Sequence, residues 1–179
     1  MRITAGKFKN KQIKTIDSDL IRPTLSKIRE SLYNVLQTKI NDAVFLDLFA
    51  GSGIVGIEAA SRGAKEVIFI EKNIKHYKLL KTNINGIDFE HKTLNADAIK
   101  IIESFDEKKF DIIFSDPPYK TDLNKKVIEI VNRKNLLKED GLLVIECDKS
   151  ETFEEELEKT QFEIIKEKTY GDTKVLYIK

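Results

Sequence analysis

Four acids occupy equivalent places along this chain. Asp47 lies near the end of the apolar run 44–49, Glu71 ends the run 66–71, Asp97 follows the run 91–95, and Asp116 ends the run 110–116. If these runs are strands of an open parallel sheet, their carboxyl ends share one edge, and ligands of such sheets bind in the crevice there. Ionised carboxylates only accept hydrogen bonds. A ligand held among four of them should be rich in donors or positively charged. Any one of these acids is equally explained as a cap on the helix that follows it. The set of four, with Glu71 and Asp116 closing strongly apolar runs, points to a site.

The sharpest local signal is Asp116-Pro117-Pro118-Tyr119. Prolines neither continue a central strand nor donate a backbone hydrogen bond, so the chain must turn there. Their carbonyls stay free as acceptors. Asp116 and a following carbonyl can accept both hydrogens of one NH2 group, while Tyr119 stacks its ring face on a base. An amine conjugated with its ring is a poor nucleophile. Two in-plane acceptors favour a pyramidal nitrogen, with its lone pair turned toward a methyl donor. The competing reading is an ordinary proline-rich turn.

Gly51-Ser52-Gly53-Ile54-Val55-Gly56 matches G-x-G-x-x-G between a strand and a helix, with Glu71 at the offset of a ribose-binding acid. Alone, this suggests a nicotinamide dinucleotide and an oxidoreductase. Asp47 beside the loop, and Asp97 and Asp116 on the same edge, would repel a pyrophosphate. A cationic nucleoside with an ammonium group, a ribose diol and an exocyclic amine fits four acceptors better, and S-adenosylmethionine is such a molecule.

The elements that position these residues alternate in period. The runs 44–49, 66–71, 110–116 and 142–147 read as strands buried on both faces, with a weaker strand at 91–95. Helical spacing fills 54–62, 73–85, 98–104 and 122–133; in 73–85 it places Ile74, Tyr77, Leu80, Lys81 and Ile84 on one face. Such alternation predicts an α/β fold with right-handed crossovers. Residues 2–5 and 12–16 are expected to pair as a hairpin. A helix should then start at Arg22-Pro23-Thr24, with Thr24 able to cap its first turn and Leu25, Ile28, Leu32, Val35 and Leu36 on its apolar face. Residues 162–170 and 173–178 alternate around Gly171-Asp172 as a closing hairpin. The acidic stretch 151–158 reads as a solvated helix face. The expected division is a basic extension, 1–40, ahead of a catalytic domain, 41–179.

Charge follows that division. The net charge of +1 combines +6 over residues 1–40, from nine basic and three acidic side chains, with −5 over the remainder. Lys7, Lys9 and Lys11 lie in an acid-free start, which suits either a polyanionic partner or a solvated edge. A non-enzymatic RNA-binding module is a further reading of this arm. A chain of 179 residues with 41% hydrophobic content builds a core without staples. Its single cysteine, Cys147, excludes an internal disulfide and fits a reducing, cytoplasmic setting. No secretory signal or membrane span is expected. His76 and His91 lack metal spacing and read as surface residues, so no metal is expected. Cys147 reads as core, and Ser52 as a loop residue with no triad partner.

The stretch from Asp47 to Gly53, Glu71 and Asp116-Pro-Pro-Tyr119 resemble motifs of class I S-adenosylmethionine-dependent amino-methyltransferases. Arg2-Ile-Thr-Ala-Gly6, Arg22-Pro-Thr24 and Ile28-Arg-Glu-Ser-Leu32 narrow the resemblance to the RsmD family, which methylates the N2 amine of a specific guanine in bacterial small-subunit (16S) ribosomal RNA. The resemblance implies a Rossmann-like fold, a mostly parallel sheet with a C-terminal antiparallel hairpin and a small N-terminal hairpin and helix. It places Phe49, Ala50, Gly51 and Gly53 against the methionine part of the cofactor, with Asp47 beside them. Glu71 would take the ribose, and Asp97 and Ala98 the adenine. Thr24 and Arg22 would reach the cofactor carboxylate or a substrate phosphate. Asp116, Pro117, Pro118 and Tyr119 would hold the guanine. The implied partner is 16S ribosomal RNA or the assembling small subunit, met by a monomer. An adenine N6 amine or a glutamine amide remains an alternative target.

Overall fold

Successive residues of a strand point to opposite faces, and in the central strands of this chain both faces are apolar. In the computed structural model, which describes residues 1–15, 23–106, 109–119 and 121–179, Phe45, Val67, Phe69, Ile112, Phe114 and Val144 pack on one face of the sheet. Leu46, Ile68, Ile70, Ile113, Leu143 and Ile145 pack on the other. Strands so covered must lie between helical layers.

The elements run α1 (Pro23–Leu36), β1 (Val44–Asp47), α2 (Ile54–Ser61), β2 (Glu66–Ile70), α3 (Ile74–Ile84), β3 (His91–Leu94), α4 (Ala98–Ser104), β4 (Phe110–Ser115), α5 (Leu123–Arg133), β5 (Leu137–Asp148), α6 (Glu154–Leu157), β6 (Ile164–Tyr170) and β7 (Thr173–Ile178). The seven strands pair in the order β3-β2-β1-β4-β5-β7-β6. The first five are parallel, and β7 runs antiparallel to β5 and β6. Helices α1, α2 and α3 cover one face; α4 and α5 cover the other. The expected α/β fold, its Rossmann-like mostly parallel sheet and its closing hairpin all form. Strand order reverses between β1 and β4, which opens a crevice at their carboxyl ends.

Four local expectations change. The N-terminal hairpin forms over a shorter stretch than expected: an antiparallel bridge joins Arg2 with Gln12, flanked by backbone hydrogen bonds between Met1 and Ile13 and from the Ile3 amide to the Lys11 carbonyl. Gly6, at φ +84°, turns the chain onto α2, where a Cβ would lie 1.8 Å from the Ser61 carbonyl oxygen. The amides of Lys7 and Phe8 then donate to Ser61, at 2.7 and 2.9 Å. The Ala5 carbonyl, which a longer ladder would have used, accepts from the Ser61 hydroxyl at 2.6 Å. Ile3 and Ile13 are fully buried and join the same core as α1.

The other three changes concern single residues. Helix α1 begins at Pro23, which puts Thr24 inside the first turn and not at its cap. The side chains of residues 16–25, including Arg22, Thr24 and Leu25, lie outside the described residues. Ile74 is 52% exposed because it starts α3 beyond the sheet edge. Glu156 is buried, since Phe153 and Leu157 pack on the core and turn it toward α5, where Lys125 pairs with it at 3.1 Å.

Candidate active site

The crevice is a cleft of about 780 Å³ above the strand ends. A smaller recess of about 210 Å³ lies behind the glycine loop and shares Phe49, Gly51 and Asp116 with it. Each wall follows from a turn that the local sequence imposes. Gly53 adopts φ +81° as α2 begins, and a Cβ there would lie 2.3 Å from Leu80 Cδ1. Only glycine fits that turn. Pro117 and Pro118 end β4 and carry the chain across the cleft to Tyr119.

Glu71 ties the glycine loop to α3. Its carboxylate accepts from the Gly51 amide at 2.8 Å and from the Asn73 amide at 2.6 Å. Four acceptor positions are available to a carboxylate, so capacity remains for a vicinal diol. The Gly51 amide, which a pyrophosphate would need, is already donated to Glu71. Glu71→Ala is expected to weaken S-adenosylmethionine binding by about 1–3 kcal/mol, the scale of a lost hydrogen bond to a charged group. Calorimetry checks this, and an unaltered Kd removes Glu71 from the site.

The other acids divide by role. Asp97 caps α4 through the Ile99 and Lys100 amides, at 3.0 and 3.3 Å. It also pairs with Lys72 at 2.9 Å. That hydrogen bond, with the amides, holds its carboxyl below the usual range. Asp97 therefore serves as a helix cap as well as a cleft wall, beside Ala98. Asp47 lines the recess with Ala50, not the larger cleft. It is buried and accepts from the Gly56 amide at 3.3 Å. Burial pushes it up to about 7, with Asp116 and Glu71 adding to the rise. Asp116 lies at the junction of cleft and recess, and burial raises it to about 7.

Two residues that the sequence reading passed over, Glu146 and Thr173, and one that it read as surface, His76, border the site. Glu146, near the end of β5, is buried and lines both spaces. Burial, reinforced by Asp116, pushes its carboxyl well above the usual range. An acid closing the apolar run 142–147 was its sequence signal. His76 is half-buried on the cleft wall, one turn into α3. Thr173, the first residue of β7, shares a 2.9 Å hydrogen bond with the Tyr119 hydroxyl. Cys147 is core as expected, its thiol pushed up to about 12 by burial.

The structure places the basic lysines away from the cleft. Lys7 approaches Asp88, in the loop before β3, and Ser61, at the end of α2. Both lie at the amino edge of the sheet. The eight residues of α2 separate that edge from the glycine loop by about 12 Å. Lys7 and Lys9 thus occupy a tip turned away from the cleft, and Lys11 begins the return arm. The arm comes back at Lys14, whose backbone is held by Asn83; the same amide donates to the Ser52 carbonyl.

Lys72 is the cation of this cleft among the described residues, and it is already paired. The space therefore suits a cationic, donor-rich ligand and not a dinucleotide.

Known proteins agree with this geometry. A family model described as conserved hypothetical protein 95 matches residues 1–179. Ribosomal RNA small subunit methyltransferase D of Haemophilus influenzae is 30% identical over 175 residues, which cover 96% of this chain and 89% of that protein. A Thermus thermophilus hypothetical protein superposes with a TM-score of 0.80 at 26% identity, covering 99% of this chain and 98% of that one. A Thermus thermophilus 16S rRNA guanine-N2 methyltransferase, solved with AdoMet and guanosine, has the same fold, with a TM-score of 0.71 at 21% identity over 95% of this chain and 45% of its own. The chain belongs to the conserved hypothetical protein 95 family, the RsmD-type methyltransferases with the class I methyltransferase fold.

Proposed function

We propose that this protein transfers the methyl group of S-adenosylmethionine to the N2 amine of one guanine in small-subunit ribosomal RNA. The observation that supports it most is Asp116 at the junction of an acceptor-lined cofactor cleft and a Pro-Pro-Tyr turn. Bound there, the cofactor supplies an electrophilic methyl group on a sulfonium. Glu71 holds the ribose hydroxyls, Phe49 to Gly51 cradle the amino-acid end, and the start of α4 meets the adenine. Arg22 and Thr24 remain assigned to the cofactor carboxylate or a substrate phosphate.

The target base leaves its stack to reach the pocket. Asp116 and the Pro117 carbonyl accept its two amine hydrogens, Pro118 shapes the turn, and Tyr119 stacks on the ring. Alignment in a dry, acceptor-lined space supplies the rate enhancement. Calorimetry with S-adenosylmethionine and with NAD tests the cofactor assignment. Micromolar binding of the first and none of the second is expected, and the reverse overturns the reading.

The Tyr119 hydroxyl anchors the turn to Thr173. Tyr119→Phe keeps the ring but frees the loop. It is expected to lower kcat/KM for RNA about three- to tenfold, the worth of one hydrogen bond of roughly 1 kcal/mol. Wild-type kinetics in that variant would show that the ring face alone suffices.

Acting as a cytoplasmic monomer, the protein would meet ribosomal RNA with the basic extension 1–40 and catalyse within 41–179. No helix among the described residues is long and apolar enough to cross a membrane. Lys7, Lys9 and Lys11 would contact phosphates remote from the flipped base. Their joint replacement by Ala is expected to raise the RNA Kd and flatten its dependence on log salt. Coincident slopes in paired salt titrations would mark the tip as a solvated edge.

A further inference from the structure

Glu146 has no task in the mechanism above, yet it stands beside the acid that matters most. Phe114 pairs with Val144 and Ser115 with Ile145 in the parallel β4–β5 ladder. Phe114 and Val144 face the same core. Two residues further along each chain, Asp116 and Glu146 therefore lie side by side on one face. Both border the cleft and the recess.

The charges around them are engaged elsewhere. Arg29 of α1 is bound by Glu58 and the Arg2 carbonyl. Lys174 of β7 donates to the Glu151 carbonyl, and Lys72 pairs with Asp97. The Asn124 amide of α5 donates to the Glu146 backbone, not its carboxylate. The Tyr119 hydroxyl is held by Thr173. Asp47 from β1 and Glu71 beyond β2 add only acids, and His76 borders the cleft from α3. Among the described residues, no cation pairs with either carboxylate. Glu146 is buried and Asp116 partly so, and two adjacent desolvated acids without a counter-charge do not both ionise near neutrality.

We propose that Asp116 and Glu146 form one proton-sharing pair, in which Glu146 keeps the proton and hydrogen-bonds the ionised Asp116, the acceptor of the proton shed by the target amine. The proposal rests on the amino-methyltransferase reading. The amine lone pair forms the new N–C bond, and the methyl–sulfur bonding pair leaves with sulfur. The nitrogen, now carrying one proton in excess, keeps its N–H bonding pair and yields the proton to the Asp116 carboxylate. Water takes that proton when the products leave. Glu146 is thus a positioning residue that acts through Asp116.

The test is the pH profile of kcat with Glu146→Ala and Glu146→Gln, alongside carboxyl NMR titration of the RNA-free protein. Removing the donor should destabilise ionised Asp116. In Glu146→Ala, the acid limb is expected to move up by about one pH unit, with kcat about fivefold lower at pH 7 and recovering at higher pH. Glu146→Gln, whose amide also donates, should return the limb toward wild type. In the free protein, Glu146 should titrate above the carboxylate range and fall by about a unit or more in Asp116→Asn. An unmoved limb, or a loss of kcat equal at every pH, overturns the proposal. So does an ordinary Glu146 titration, whether or not RNA is methylated. Absence of methylation in wild type would instead overturn the functional reading and leave the titration to decide the pair.

Discussion

Asp116→Ala is expected to lower kcat by about 10²–10³-fold, the cost of removing one preorganised group aimed at developing charge. The cofactor Kd should change far less, because the carboxylate acts on the amine as its nitrogen becomes cationic. An interaction made mainly in the transition state appears in kcat and not in binding. The same carboxylate sets a pH dependence. Burial holds Asp116 near 7, and only its ionised form can take up the amine proton, so kcat should fall as pH drops through that value. The sign for stability is opposite to that of an exposed carboxylate. A raised native value means the folded state binds more protons than the unfolded one between about 4 and 7. Asp116 and Asp47 therefore make folding less favourable as pH rises across that window. Single-turnover rates over pH, with calorimetry of the cofactor, check the kinetic part; near-normal turnover in Asp116→Ala would contradict the assigned role.

The second large effect is structural. Glu58 of α2 is fully buried and accepts from Arg29 at 2.5 Å, Arg62 at 2.8 Å, and the Thr4 hydroxyl. Arg29 in turn donates to the Arg2 carbonyl at 2.8 Å. One carboxylate thus joins α1, α2 and the N-terminal arm. Glu58→Ala leaves the Arg29 charge buried without its counter-ion, and breaking a buried pair costs about 3–5 kcal/mol. At roughly 2–4 °C per kcal/mol for a chain of this size, Tm should fall by about 10 °C. Urea and thermal unfolding measure it. A loss under about 1 kcal/mol would show that water relieves the arginine.

These two residues mark what the sequence could and could not disclose. Asp116 was legible because two prolines stop an apolar run at a sheet edge, a purely local signal. The strand–helix alternation was legible for the same reason: unbroken Val, Ile, Leu and Phe runs require cover on both faces. Arg29 entered the reading only as part of a resemblance. Its structural task depends on Glu58, 29 positions away, and no local pattern predicts that pairing. Glu146 was hidden likewise, since its meaning comes from the β4–β5 register that sets it beside Asp116. The position of the lysine tip was not legible, because it is set by Gly6 docking on Ser61, 55 residues downstream. Ser31, from the same motif as Arg29, bonds Lys168 and Tyr170 of β6 and fixes α1 from the other side. That motif is therefore scaffold for the site more than part of its chemistry.

The central claim is the identity of the methylated atom. Ribosomal RNA and small ribosomal subunits incubated with methyl-labelled S-adenosylmethionine, then digested and mapped by nucleoside, measure it directly. The account predicts label in N2-methylguanosine at a single position, abolished in Asp116→Ala. Label in N6-methyladenosine or in a protein glutamine, or no label despite cofactor binding, would contradict it.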